Sequence, residues 1–424
     1  MGFFALLIAI ALLFNRPGDW HPILTGLPLF QIAIIACLAS SWGKCTNYLR
    51  SVSAEKTPVT ICVLFLFGMV LVSSLANPTS SFEITIDFLK ACVLYLLAVS
   101  LVDSPPKVST FLNGIAISIF FVGLLMVLDY HTSLFGTVRP EGGGQEFRAE
   151  ALGGKNFDAN DTSALLVLAI IIFLANAIDA QSIVMRVLWI VTMAIACHGM
   201  QLANSRAGFI ALLIGIGSYL WIRWGNKGLK WGVLLVPLGA AVIATDRMVD
   251  LSAIKTGTGQ SRLQFWSIGL SLFFNNPIVG VGPGEYENQI GKACHNSFIQ
   301  AYAELGCLGG ALFVVAFFSS VKLSYLTRRK YTNDELADTQ VPSAIFIIPA
   351  LIIAYITSIS TLNQVYACHT YLILGLSTIA ASVFGLFDGE AQTPYRASLI
   401  ASLGKTTCVF IVMMYVICLV FVRW

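Results

Sequence analysis

The chain has 424 residues, 57% of them hydrophobic and only 11% charged, with a formal net charge of +3. A soluble domain carries about a quarter charged residues, so this composition excludes one and describes a polytopic integral membrane protein. A net charge this small gives no reason to expect a nucleic-acid partner, and the functional question becomes where the few charges sit.

In chain order, the opening Gly2–Phe14 run lacks a basic n-region and an Ala-x-Ala cleavage site. It therefore reads as a short first span rather than a secretory signal peptide. Further apolar segments lie at 23–41, 58–76, 84–102, 109–129, 162–179, 183–202, 206–224, 229–245, 298–322, 342–360, 369–387 and 401–422. Most approach the ~20 residues needed to cross a bilayer, which predicts about twelve transmembrane helices. In lipid the backbone must satisfy itself, and no barrel-like alternation is present, so the fold class is all-α.

Lysine and arginine in the short loops set the orientation. Lys44, Arg50, Lys56, Lys107, Arg223, Lys227, Lys230, Lys322, Arg328, Arg329, Lys330, Arg396 and Lys405 mark one side as cytoplasmic, while 77–81 and 361–368 carry none. By parity, residues 130–161, the turn at 203–206, the stretch 246–297 and the turn at 361–368 face outward. Three regions follow: N-terminal helices over 1–245 with an outer loop at 130–161, an outer loop with short amphipathic helices over 246–297, and C-terminal helices over 298–424. A polar stretch of about fifty residues between spans is uncommon without a task.

The outward regions hold Arg139, Arg148, Lys155, Arg206, Arg247, Lys255, Arg262 and Lys292, against the topological bias. An outward basic cavity that receives an anion would explain them, although long loops cross regardless of charge. Arg206 opens an apolar helix directly after Ala203-Asn204-Ser205. A helix N-terminus plus a guanidinium makes an anion site; a snorkelling interfacial arginine is the plain alternative. Arg262 and Trp266 lie four apart, on one side of a helix. An interfacial helix with an aromatic anchor has the same pattern. Pro277 to Gly284 turns the chain and fits neither the dinucleotide nor the P-loop pattern.

His295 is the histidine of the 246–297 stretch. Histidine can serve as a general base near neutral pH, or simply pack. His198 and His369 read as packing or hydrogen-bonding residues. The outer loops offer no carboxylate pair at metal-ligand spacing, so no metal and no cofactor are expected. Asp158 and Asp161 flank a helix start at Asp161, where capping suffices. Glu83, Asp87 and Lys90 share a helical face. The ten cysteines contain no C-x-x-C pair, and six lie inside apolar runs. Cys294, Cys307 and Cys368 leave a disulfide open.

Together these residues resemble a known pattern. His295-Asn296, nine residues, then Gly306-x-x-Gly309 resembles the signature of the bacterial O-antigen ligase superfamily, which includes O-antigen polymerases and protein O-oligosaccharyltransferases. Ser205-Arg206-Ala-Gly208 is similar to a second recurring block. Arg262-x-x-x-Trp266, leading to Pro277-x-x-Gly280-x-Gly282-x-Gly284, is similar to a third. Arg148, followed by Gly153 and Asn160, is similar to an upstream block in which a Pro-Asn pair is usual; Ala159 stands in place of that proline.

The resemblance implies a GT-C-type glycosyltransferase of the bacterial inner membrane. It would take a glycan from undecaprenyl diphosphate and attach it to a hydroxyl of lipid A–core at the periplasmic face. His295 would be the base; Arg206, Arg262 and Arg148 would bind the diphosphate, in place of a metal. A polymerase would lengthen the lipid-linked glycan instead. A protein O-oligosaccharyltransferase often adds a periplasmic domain after the last helices, which this sequence does not show. A flippase or anion transporter would more often show internal repeats and discontinuous helices.

Overall fold

The computed structural model describes residues 2–53, 55–80, 82–135, 148–152, 158–245, 248, 258–333, 342–386 and 398–422. Arg139, Lys155, Arg247 and Lys255, named above among the outward basic residues, lie outside the described residues. So do Gly153 of the upstream block and Arg396. Every regular element among the described residues is a helix. Ten are long and apolar enough to cross a membrane, and two shorter apolar helices, Ala344–Ile359 and Cys368–Val383, accompany them. Both are shorter than the 342–360 and 369–387 segments expected from hydropathy.

The chain divides into two compact units. The first comprises residues 1–41, 102–250 and 328–358. Its helices are α1 (Gly2–Asn15), the short α2 (Pro17–Trp20), the start of α3 (Leu29–Ser51), α6 (Pro105–Thr132), α7 (Ala159–Asp179), α8 (Ile183–Ala203), α9 (Arg206–Ile243) and α13 (Ala344–Ile359). α7 is the centre: every residue from Thr162 to Phe173 is buried, and α6, α8 and α9 pack around it. Among the described positions, Gly208 of α9 shows how close the packing is. A Cβ there would fall 1.8 Å from Ser163 Oγ, so only glycine lets the two helices meet. At the far end of α7, Asp179 pairs with Arg223, which also donates to Tyr219 Oη at 2.8 Å. Ser343 donates to the same carboxylate. This arginine is one that the charge rule assigned to the cytoplasmic loops.

The second unit comprises residues 42–101, 251–327 and 359–424. It holds α4 (Pro58–Ala76), α5 (Phe82–Leu101), α10 (Thr258–Asn275), α11 (Glu285–Ile290), the first part of α12 (Ser297–Asn333), α14 (Cys368–Val383) and α15 (Ser398–Phe421). α14 packs along α5 and α4. Tyr95 of α5 bonds to Thr60 of α4 at 2.8 Å and to Thr378 of α14 at 3.2 Å. α10 is 18 residues long, not the short helix expected from sequence. Its apolar side lies on α15, through Leu270 with Met414 and Cys418, and through Phe274 against Tyr415.

Of the two helical runs interrupted by glycine, one follows the segmentation read off the sequence and one departs from it. The runs 206–224 and 229–245 are two helices that meet at Gly225 (φ 57°, ψ −138°), as expected. The run expected at 298–322 extends to Asn333 and breaks at Gly306 (φ 71°, ψ −166°). Such backbone values are essentially reserved to glycine. The cap of α7 also differs: Asp158, not Asp161, closes the helix, accepting from Asn160 N at 2.7 Å and Asp161 N at 2.8 Å. Capping explains Asp158; Asp161 contributes its backbone N–H to that cap.

Candidate active site

Within the second unit, the stretch before α12 places His295. The residue takes a left-handed backbone (φ 52°) that only a few per cent of non-glycine residues adopt. It turns the chain into a cap, where Asn296 Oδ1 accepts from Phe298 N at 3.0 Å and Ile299 N at 3.2 Å. Cys294 and Asn296 on either side are buried, whereas His295 is half-buried. The turn thus anchors its neighbours and leaves the histidine at the rim.

α10 brings the arginine block to this turn. Trp266 Nε1 donates to the His295 carbonyl at 3.3 Å. The adjacent Phe265 carbonyl accepts from Tyr286 Oη of α11 at 2.7 Å. Arg262 sits half-buried one turn before Trp266 on the same side of α10. Burial raises the pKa of the Tyr286 phenol and of the Cys294 thiol, so both groups keep their protons.

The glycine-rich turn at 276–284 has a role that its spacing did not disclose. It fills the break in α12. Val281 N donates to Ala303 O at 3.0 Å, Gly282 N to Glu304 O at 3.1 Å, and Cys307 N to Pro277 O at 2.8 Å. A Cβ on Gly306 would lie 2.4 Å from Ile278 O, and one on Gly280 would lie 2.2 Å from the Glu304 carbonyl carbon. Gly306 of the histidine signature and Gly280 of the arginine block are two sides of one backbone contact. A discontinuous helix was associated above with transporters. Here polar groups exposed by the break are taken up by protein backbone, as the bilayer requires. Ser73 of α4 adds a hydroxyl shared between Val279 O at 2.7 Å and Glu304 O at 2.8 Å. The loop after α13 joins through Ser297 Oγ, which donates to Leu362 O at 2.7 Å and accepts from Gln364 N at 2.8 Å.

Within the first unit, Arg148 is held at the starts of α7 and α9, and Arg206 begins α9. Arg148 donates through Nε to Ala203 O at 3.1 Å and through Nη2 to Asn160 Oδ1 at 2.7 Å. Ser205 Oγ donates to that same Asn160 oxygen at 2.9 Å and accepts from Gly208 N at 3.3 Å. Arg206, half-buried, is the first residue of α9. Asn160 therefore joins the upstream block to the Ser205-Arg206 block. Ala159 is the first residue of α7, where proline is favoured because its missing N–H is not needed. Replacing the usual proline there removes nothing the cap depends on.

Other positions fall where ordinary packing predicts. His198 Nε2 meets His131 Nε2 at 2.9 Å, and His369 is buried. Lys90 pairs with Asp87 at 2.6 Å. Cys294, Cys307 and Cys368 are free thiols. Sequence reading missed Glu304, Tyr366 and Ser73. A single acid in a long apolar run gives no periodic signal, and the other two become visible only through their contacts.

An all-helical membrane protein with this half-buried histidine at a capped helix start is the class that the fold defines. Residues 191–314 match the family model described as O-antigen ligase. This match, over less than a third of the chain, supports membership of the O-antigen ligase superfamily, a family that implies activity of a glycosyl-transfer type. The matched stretch contains Arg206, Arg262, His295 and Gly306; Arg148 precedes it. No curated protein matches the chain.

Proposed function

We propose that the protein is an O-antigen ligase, moving O-antigen glycan from undecaprenyl diphosphate to a lipid A–core hydroxyl at the periplasmic face of the inner membrane. The observation that carries this reading is the Trp266–His295 hydrogen bond. It sets the arginine helix against the turn that presents the histidine, two blocks that lie apart in the sequence.

In the reaction, the acceptor hydroxyl oxygen attacks the anomeric carbon. Its proton passes to the His295 imidazole, and the bond from that carbon to the diphosphate oxygen breaks. Undecaprenyl diphosphate leaves with the bonding electrons, and the anomeric centre inverts. Arg262, with Arg206 and Arg148, holds the phosphate oxygens through planar forks of donors as charge grows on them. Guanidinium groups can perform the charge neutralisation that a divalent ion performs elsewhere.

The test combines purified protein, lipid-linked glycan and rough lipopolysaccharide, with and without chelator. A ladder appearing on the lipopolysaccharide in both conditions supports the reading. Longer lipid-linked chains would instead make the protein a polymerase, and no product would point to transport. Loss of the ladder with chelator, restored by added metal, would remove the guanidinium clause.

A further inference from the structure

Burying an acid in a membrane-crossing helix is costly, and such residues are kept where they perform a task. Glu304 is 1% exposed, two residues before the break in α12. Nothing in the transfer chemistry above uses it. Oε2 accepts from Tyr366 Oη at 2.8 Å and from Gln300 Nε2 at 3.2 Å, and Oε1 accepts from Tyr286 N at 3.3 Å. Gly284 N also donates to the carboxyl group. The Glu304 carbonyl is held separately by Gly282 N and Ser73 Oγ.

One residue therefore touches the α12 start, the glycine turn, α11 and the loop after α13, and reaches α10 through Tyr286. Gln300 belongs to the half-helix that His295 and Asn296 begin. Gly282 and Gly284 belong to the glycine turn. Tyr286 belongs to α11, whose hydroxyl holds α10 beside Trp266. Tyr366 belongs to the loop after α13, and its ring stands edge-on to Phe88 at 5.9 Å. Burial and the neighbouring Glu304 raise the Tyr366 pKa, so the phenol keeps the proton that it donates. From Asn296 to Glu304 the chain is cap and unbroken helix. A displacement at Glu304 is thus transmitted to the cap as rigid-body motion rather than absorbed on the way.

We propose that Glu304 is a positioning residue for glycan transfer: its carboxyl group, gripped by Tyr366, locks the first half of α12 against the glycine turn and so fixes where His295 stands beside α10. The proposal rests on His295 being the base. A carboxyl group that only stabilised the fold would have a different signature. Its loss would lower the amount of folded protein and leave the turnover of each folded molecule alone.

The experiment uses the full chain in lipid nanodiscs, as wild type, Glu304→Gln, Tyr366→Phe and the double variant. Turnover on lipid-linked glycan and lipopolysaccharide is normalised to monodisperse protein. In parallel, amide hydrogen exchange is followed over 277–284 and 295–305. The expected result for Glu304→Gln is a ten- to hundredfold fall in kcat, with KM for the lipid-linked donor within twofold. Tyr366→Phe should fall less, and the double variant should be no slower than Glu304→Gln. Exchange should rise over those two stretches.

Turnover within twofold of wild type in both single variants overturns the proposal. So does a fall fully explained by lost folded protein. Should Glu304→Gln not fold, Tyr366→Phe, which removes one oxygen, decides the question alone. Wild-type protein that transfers no glycan refutes the functional reading instead, and exchange then reports whether Glu304 holds the turn.

Discussion

The helices broken by glycine, α9 at Gly225 and α12 at Gly306, look alike in backbone angles and differ in everything around them. A Cβ added at Gly225 would meet nothing within 4 Å. One added at Gly306 would enter the backbone of the glycine turn. Near Gly225 the chain reverses upon itself, Gly228 lying against the Leu220 carbonyl, in a stretch rich in Arg and Lys. At Gly306 a second segment enters the break and takes its hydrogen bonds. The first glycine makes a joint between helices. The second makes a seat for another part of the chain, eleven residues after the histidine that begins its helix.

If only the α12 break belongs to a reacting site, substitutions near it must cost turnover and those near Gly225 must not. The largest effect is expected from His295→Ala, because general-base catalysis contributes roughly 10²–10⁴-fold. Transfer should fall by at least about a hundredfold while the lipid-linked donor still binds, measured by donor titration. Retained turnover would sever the link between the α12 start and the chemistry. Arg262→Ala and Arg206→Ala should follow. Each loses charge-assisted bonds of about 1.5–3 kcal/mol, raising donor KM about tenfold or more. Near-normal KM in either would withdraw that arginine from the diphosphate.

The direct comparison is Gly306→Ala against Gly225→Ala. Both force alanine into a glycine backbone, at about 1–3 kcal/mol of strain. Only the first also drives a methyl group into a carbonyl oxygen. Both variants should melt earlier by thermal shift, Gly306→Ala more so. Per folded molecule, Gly225→Ala should turn over within twofold of wild type and Gly306→Ala should be several-fold slower. Equal turnover in the two would erase the distinction drawn here.

The difference between the breaks also explains what was legible in the sequence. Positively charged residues beside Gly225 signal a loop, so that division was expected at its place. Gly306 stands inside an apolar run, and its need for a partner backbone is a tertiary fact that no periodicity encodes. Gly280 and Gly306 both stand in motifs, yet nothing in their spacing says that they touch. The spans themselves were legible because apolar length is a local property. Arg148 and Asn160 were visible only as fragments of a block; their hydrogen bond, and the sharing of Asn160 with Ser205, needed folding to bring α7 and α9 together. Glu304 escaped because one carboxylate scarcely changes the hydropathy of a long helix.

The smallest effect tests whether the seat at Gly306 is supported from outside. Ser73 reaches it from α4, its one proton shared between the carbonyls of Val279 and Glu304. Ser73→Ala removes one buried donor without adding volume. Two carbonyls remain, of which Glu304 O keeps the Gly282 N–H. The net loss should be about 1 kcal/mol, the size of an ordinary buried hydrogen bond. That predicts a lower melting temperature, turnover reduced no more than about twofold, and faster amide exchange confined to 277–284. A shift spread over α4 and α5 would mean that Ser73 serves the packing of its own helix. In that case the seat is held by the glycine turn and Glu304 alone.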